Sequence, residues 1–317
     1  FGNIDKKIIY PILGGVFKLI ADLVIKYLTK YEGIELRKHP FLLGFNSGLG
    51  FSVSFIPFLI FKRNFDILNK SKEDEEGNLI YNQNEDIIFV RREKHYYYLF
   101  AIAICDFLQK LLSFIYVGLD NFWIFDIPFI IIFSLLILKM KLHIHHLVSL
   151  VFIIIFGIVL NIIYFFQIKA EIELFFKIIN TLVIETIFSL EIVISKYTIE
   201  IKLCSPYEIC LFEGIFEIVL NLILLIIFTY IPFSEIKYII HCEYEGKSYV
   251  DNFYQYFSKI SLIEVISFIL TLLGRLGFNL FCLLTLKYFS QSYIAICLII
   301  GEACFAVYEE KIIWKII

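Results

Sequence analysis

Two neighbouring stretches, FIIIFSLLIL (129–138) and VFIIIFGIVLNIIYFF (151–166), leave little choice of fold. A hydrocarbon core about 30 Å thick takes roughly 20 apolar residues of helix to cross. Blocks of that kind recur along the chain, separated by short polar clusters. A soluble helical core would need a polar outer face on each helix, and residues 129–138 have none. The chain is 60% hydrophobic over 317 residues, against roughly 45–50% in ordinary soluble domains. The reading is an all-α integral membrane protein embedded in a lipid bilayer.

Nine spans are expected, at roughly 9–28, 40–61, 97–118, 122–140, 147–166, 174–196, 206–231, 262–286 and 291–308. A tenth is expected to begin in KIIWKII at the last residues and to be cut off. The chain begins at Phe1 and carries no cleavable signal pattern, so it reads as a fragment. Loop 62–95 holds seven Lys/Arg and eight Asp/Glu and reads as solvated. Loop 232–261 is rich in Tyr and mixed in charge. With the N-terminus in the cytoplasm, that side carries fourteen Lys/Arg and the other side eight, which satisfies the positive-inside rule.

KMKLHIHH (139–146) then falls in a tight cytoplasmic turn between the fourth and fifth spans. Its cations sit where that rule puts them, so His143, His145 and His146 are not taken as a metal site. The seven cysteines are odd in number and form no CxxC, which gives neither a disulfide framework nor a zinc site. No metal and no cofactor is expected. The net charge of −3 gives no bulk signal for nucleic acid. Walker A, GxGxxG, HExxH and GxSxG patterns are absent from the sequence, so neither an ATP-driven pump nor a membrane hydrolase is indicated, and no catalytic residue is assigned.

Shifting the map by about 170 residues lays span one on six, two on seven, three on eight and four on nine. An odd number of spans per half inverts the second half, as in many secondary transporters. The expected architecture is a ten-helix (5+5 inverted repeat) transporter bundle with the tenth helix truncated. Residues 1–170 form the first repeat, with loop 62–95 cytoplasmic, and residues 171–317 form the second.

Within this frame the chain resembles the drug/metabolite transporter superfamily, in particular its solute-carrier-35, nucleotide-sugar-transporter-like branch. IFSLLILKMKLHIHHLVSLVFIIIFGIVLNII is similar to the family's fourth-span end, basic turn and fifth span, with its late glycine at Gly157. SPYEICLFEGIFEIVLNL is similar to the Pro-led seventh span with an internal Glu213-Gly214. LTLKYFSQSYIA resembles the Lys-Tyr junction that enters the ninth span, here Lys287 and Tyr288. The resemblance implies alternating access and a small-molecule substrate. It also implies a eukaryotic endomembrane location (Golgi, ER or vesicular). Many nucleotide-sugar carriers place a lysine early in the fourth span to meet substrate phosphate. Here that position is Asp126, in FDIPF, which would repel an anion.

Charges inside spans cost about 2.5–3.5 kcal/mol each on insertion scales and need a reason. Lys18, Asp22 and Lys26 share one face of span one, and Asp106 and Lys110 one face of span three. Self-neutralised pairs are the plainer reading of both. Span six brings Asn180, Glu185 and Glu191. Glu213, Glu217 and Asn221 share a face of span seven. Two carboxylates one turn apart in low dielectric cannot both stay charged cheaply, and a proton held between them is what a coupled transporter needs. In span eight, GRLGFNLF, Arg275 can clamp a carboxylate or phosphate or pair with Glu213 or Glu185. The expected substrate contacts are Arg275, Asn279, Lys287, Tyr288 and Asp126. The expected coupling or gating residues are Glu213, Glu185, Asp106 and Lys110. Gly44 and Gly48 form a GxxxG pair that serves packing, rocking of the halves or a homodimer contact. Two functions fit: a secondary transporter of a small polar, anionic metabolite such as a nucleotide sugar, or a proton-coupled exporter of amines or cationic metabolites. A non-transporting membrane scaffold is a third.

Overall fold

A computed structural model describes residues 9–24, 39–60, 95–115, 126–139, 172–202, 204–232, 242–244, 246–258 and 262–289. It also describes scattered positions between 148 and 159 and between 293 and 297. Among the described residues, eight helices and one hairpin follow in order: α1 Ile9–Leu23, α2 Pro40–Ser52, α3 Tyr96–Ile115, α4 Asp126–Ile137, α5 Ile172–Glu200, α6 Pro206–Tyr230, β1 Cys242–Tyr244, β2 Lys247–Tyr249, α7 Phe253–Ser258 and α8 Leu262–Tyr288. Loop segment 62–94, the histidines of KMKLHIHH, Lys26, Gly157 and KIIWKII lie outside the described residues, as does most of spans five and nine.

Among the described residues, four stretches are long and apolar enough to cross a membrane: Pro40–Ile60, Ile178–Glu200, Pro206–Tyr230 and Leu262–Tyr288. They are the second, sixth, seventh and eighth expected spans. α4 is apolar but shorter. The distribution of side chains is inverted relative to a water-soluble bundle. The outer face of α6 shows Ile215, Val219, Leu222, Ile223 and Ile226, and that of α8 shows Leu262, Val265, Ile266, Ile269 and Leu273. Its inner faces carry Glu213, Gly214, Glu217 and Asn221 on α6, and Ser267, Thr271, Gly274 and Gly277 on α8. Aliphatics outward with small and polar residues inward is how helices associate in lipid, where burying apolar surface gains nothing between helices. The protein is helical and built for a membrane.

Helix starts are set by local chemistry. Ser205 caps α6, its hydroxyl accepting from Tyr207 N at 3.3 Å, with Pro206 in the first turn and Glu208 three residues after the cap. His39 precedes α2 but gives it no side-chain cap. Asp251, more than 200 residues away, supplies the cap instead: its Oδ2 accepts from Phe41 N at 2.8 Å and Leu42 N at 3.1 Å. The helix continuing α2 to Ile60 is broken at Val53 and Ser54, whose amides bond three residues back, to Gly50 and Phe51. Pro57 lacks the amide that would bond Val53, which accounts for the break.

The main packing pairs are α1 on α8, α2 on α6, α3 on α5, α4 on α5, α2 on α8 and α3 on α6. The α2–α6 contact is a close one. A Cβ at Gly214 would lie 2.6 Å from Ser52 N and 2.8 Å from Gly48 O, so backbone meets backbone there. The GxxxG of α2 is therefore spent on packing within the chain. The end of α8 is held from α5: the Lys196 ammonium donates to the carbonyls of Leu286 (2.5 Å) and Phe289 (2.7 Å) and pairs with Glu200.

The bundle has two distinguishable ends. At one, His95 bonds Glu208 in the first turn of α6, at 3.2 Å. At the other, His39 bonds Asp251 at 2.8 Å, and Phe253 N donates to Thr229 in the last turn of α6. The second end also carries the β1–β2 hairpin, an antiparallel pair in the register Cys242↔Tyr249. The hairpin lies within loop 232–261, where the sequence reading named no strand, and adds a short β element to a mostly helical fold. Gly246, at φ +75°, supplies the left-handed residue that closes the two-residue turn.

Candidate functional site

Two adjoining features occupy the middle of the bundle. The first is a cluster of buried charge. On α3 the Lys110 ammonium lies 2.8 Å from Asp106 and, across the helix interface, 2.8 Å from Glu217 on α6. It also lies 4.0 Å from the centre of the Phe51 ring, whose face attracts a cation. Glu213, one turn before Glu217, accepts from the Asn279 amide on α8 at 2.6 Å, and its other oxygen has no hydrogen-bond partner among the described residues. Glu191 on α5 is within electrostatic reach of Asp106, Glu213, Glu217 and Lys110. Glu217 is 0% exposed and Glu213 1%. Glu217 stands eleven residues into α6, roughly 16 Å from its start, close to halfway along the helix.

Among the described residues, four carboxylates thus share one ammonium. Buried charge is tolerated when it is paired. A cluster of this composition reaches neutrality only by taking up protons or a cation, whichever of its members hold them. That is a property a coupled transport cycle can use.

The second feature is a cavity of about 220 Å³ beside the cluster. Five helices line it: Lys18, Ala21 and Asp22 of α1, Gln109 and Ser113 of α3, Asp126 of α4, Glu185 and Phe188 of α5, and Arg275 and Phe278 of α8, with Ile184 completing the wall. Lys18 and Asp22 pair across one turn at 2.7 Å. Successive residues divide between the two features. Gln109 faces the cavity while Lys110 faces the cluster, and Arg275 faces the cavity while Asn279, one turn on, holds Glu213.

The residues singled out from the sequence are therefore brought partly together. Arg275, Asp126 and Glu185 meet in the cavity. Asp106, Lys110, Glu213 and Asn279 meet in the cluster. Lys287 and Tyr288 lie elsewhere, at the exposed end of α8, roughly 18 Å along the axis from Arg275. There the Lys287 ammonium is 5.5 Å from the Tyr288 ring, and Tyr288 stacks on Tyr10. Sequence reading underrated Glu217 and Glu191, whose partners come from other helices. It also missed two groups at the bundle ends, His39–Cys242–Asp251 and His95–Cys204–Glu208. The one local signal was a histidine directly before each of two helix starts.

Fold and site together define a helical, membrane-embedded protein with a charged cavity and an acid-rich centre. No family model matches the chain, and no similar curated protein was found.

Proposed function

We propose that this protein is a secondary transporter that moves a small polar metabolite by alternating access, with the cavity as its substrate site. The observation that carries this reading is the cavity itself, where four helices turn charged groups of both signs, and α3 turns Gln109 and Ser113, into one space. Cations Lys18 and Arg275 and anions Asp22, Asp126 and Glu185 suit a solute that carries an amino group and an acidic group. The volume lies below the range usual for drug-sized ligands, which favours a small solute over a whole nucleotide sugar.

The packing pattern supports the ten-helix inverted repeat, the architecture that the resemblance to drug/metabolite transporters implies. Exchange of the halves sends α1, α2 and α3 to α5, α6 and α8. Under it α1–α8 becomes α5–α3, α2–α8 becomes α6–α3, α2–α3 becomes α6–α8, and α2–α6 becomes itself; each of these pairs is in contact. Gly44 goes to Gly214, and both lie in the α2–α6 interface. One pair departs from the symmetry. α5 packs on α8, whereas among the described residues the corresponding α1 and α3 are parted by the cavity. Halves that differ in this way are what an alternating-access protein caught open to one side displays. In this reading the N-terminus is cytoplasmic, supported by the Lys/Arg bias alone, and the membrane is a eukaryotic endomembrane, which rests on the resemblance alone. Proton-coupled export of amines is the second reading, favoured by the excess of carboxylates in both features.

Exchange transport in proteoliposomes tests this. Amino acids, amines, phosphorylated sugars and nucleotide sugars are loaded in turn, with and without a pH gradient. Saturable uptake of a solute bearing an acidic group is expected, and Arg275→Ala should lower its uptake efficiency roughly 10- to 100-fold, the worth of a charged hydrogen bond. Amine uptake driven by the pH gradient and lost in Asp126→Asn would establish the second reading. Folded protein that moves none of these solutes would leave a scaffold.

A further inference from the structure

The two groups at the bundle ends have the same composition: one histidine, one cysteine and one carboxylate, their ligand atoms all within 4.8 Å of one another. They also have the same placement. His39 and Asp251 sit at the start of α2 with Cys242 of β1. Cys204 and Glu208 sit at the start of α6 with His95, the residue before α3. We propose that His39, Cys242 and Asp251 bind one divalent transition-metal ion of the zinc type, tying the α6–α8 connection to the start of α2.

Three observations carry this. The ligands come from three separate elements, as imidazole and thiolate sites require, and all are buried: His39 is 1% exposed, Cys242 2% and Asp251 0%. Asp251 is already oriented for the task. Its Oδ2 is anchored by the amides of Phe41 and Leu42, which leaves Oδ1, now 2.8 Å from His39 Nδ1, as the oxygen directed into the group. Backbone support of a ligating carboxylate is a regular part of metal sites. The charges also close: a thiolate and a carboxylate with a neutral imidazole balance a divalent cation, so the buried complex is neutral.

One sulfur, one nitrogen and one oxygen suit zinc or cobalt, whereas magnesium and calcium want oxygen throughout. Three protein ligands leave a fourth position for water or a loop residue. The same residues also read as nucleophile, base and orienting acid, but Cys242 is too deeply buried for a substrate to reach. Chain length explains why sequence inspection missed the group. His39 and Asp251 are 212 residues apart, and no CxxC or HxxxH spacing marks them.

The test uses the full-length protein in detergent, with Cys204→Ser to disable the second group. Cobalt(II) is titrated in and thiolate-to-cobalt absorption is read, followed by displacement with zinc. One cobalt per chain with a thiolate band is expected, with the band lost when Cys242→Ser is added. Zinc should also raise the unfolding temperature of the Cys204→Ser protein and leave that of the double variant unchanged. Should the double variant not fold, His39→Gln carries the same expectation, since glutamine keeps a hydrogen bond to Asp251. A missing thiolate band in the folded Cys204→Ser protein, or a band that survives Cys242→Ser or His39→Gln, overturns the proposal and leaves a hydrogen-bonded helix cap.

Discussion

Lys110 holds the most consequential position among single residues. It is the only ammonium in contact with Asp106 and Glu217 among the described residues, and it rests on the Phe51 ring. Removing one partner of a buried ion pair leaves a charge without compensation and costs about 3–5 kcal/mol. Lys110→Met should therefore lower the unfolding midpoint sharply in detergent. Asp106→Asn should cost less, because Glu217 still faces the ammonium. Equal losses in the two variants would mean that the α3–α6 bridge is unimportant. The comparison also shows what the sequence disclosed. The i, i+4 pairs Lys18–Asp22 and Asp106–Lys110 were legible, because helical periodicity alone brings such side chains together. The Lys110–Glu217 bridge was not, since nothing local encodes which face of α3 meets which face of α6. For the same reason Glu217 could be placed beside Glu213 on one face of its span, but not against its partner on α3. Lys287 and Tyr288 were read from a resemblance, and the helix carries them to the far end of α8 from the cavity.

At the scale of elements, the glycines of α2 and α6 decide how closely the two halves meet. A methyl group at Gly214 would press on backbone atoms of Ser52 and Gly48, which cannot swing aside. At Gly14 the nearest atom is Cys297 Sγ at 3.1 Å, the end of a movable side chain. Overpacking costs typically about 1–3 kcal/mol, so Gly214→Ala should destabilise by about that amount and Gly14→Ala by clearly less. Thermal unfolding of both variants checks the order, and a reversal would show that α2 and α6 can part without cost. Element existence was legible wherever apolar residues run for a full membrane thickness, as in α5, α6 and α8. The hairpin was not. Its strands are three residues long, and CEYEGKSY shows only a Glu-Gly turn between tyrosines, too short a signal inside a loop of mixed charge. The Asp251 cap on α2 was hidden by the distance along the chain.

For the whole molecule, the arrangement of the two ends makes a claim about topology. α6 begins beside His95 and finishes beside the segment that carries the hairpin and Asp251. Its 25 residues span roughly 37 Å, more than a hydrocarbon core of about 30 Å. Ser54, in the helix that continues α2, donates to the carbonyl of Tyr207 in the first turn of α6, and His95 bonds Glu208 there, so the described residues on both sides of 62–94 lie at the His95 end. Gly246, in the exposed turn of the hairpin, belongs to the other. If the bundle stands across a membrane, epitope tags inserted at residue 78 and after Gly246 must lie on opposite sides. Parity makes this a test of the repeat as well. In the proposed ten-helix bundle α3 and α4 cross as α5 and α6 do, so the described helices between the two tags give four crossings, which would return the chain to the side it left. The proposed repeat adds a fifth crossing by the apolar stretch at 147–166, which would separate the tags, and five crossings per half is what inverts one repeat against the other. Protease protection in sealed vesicles reads both tags at once. Opposite exposure, with the tag at residue 78 on the cytoplasmic side, is expected. Exposure of both tags on one side would remove the fifth crossing, and with it the inverted repeat and the alternating-access cycle built on it.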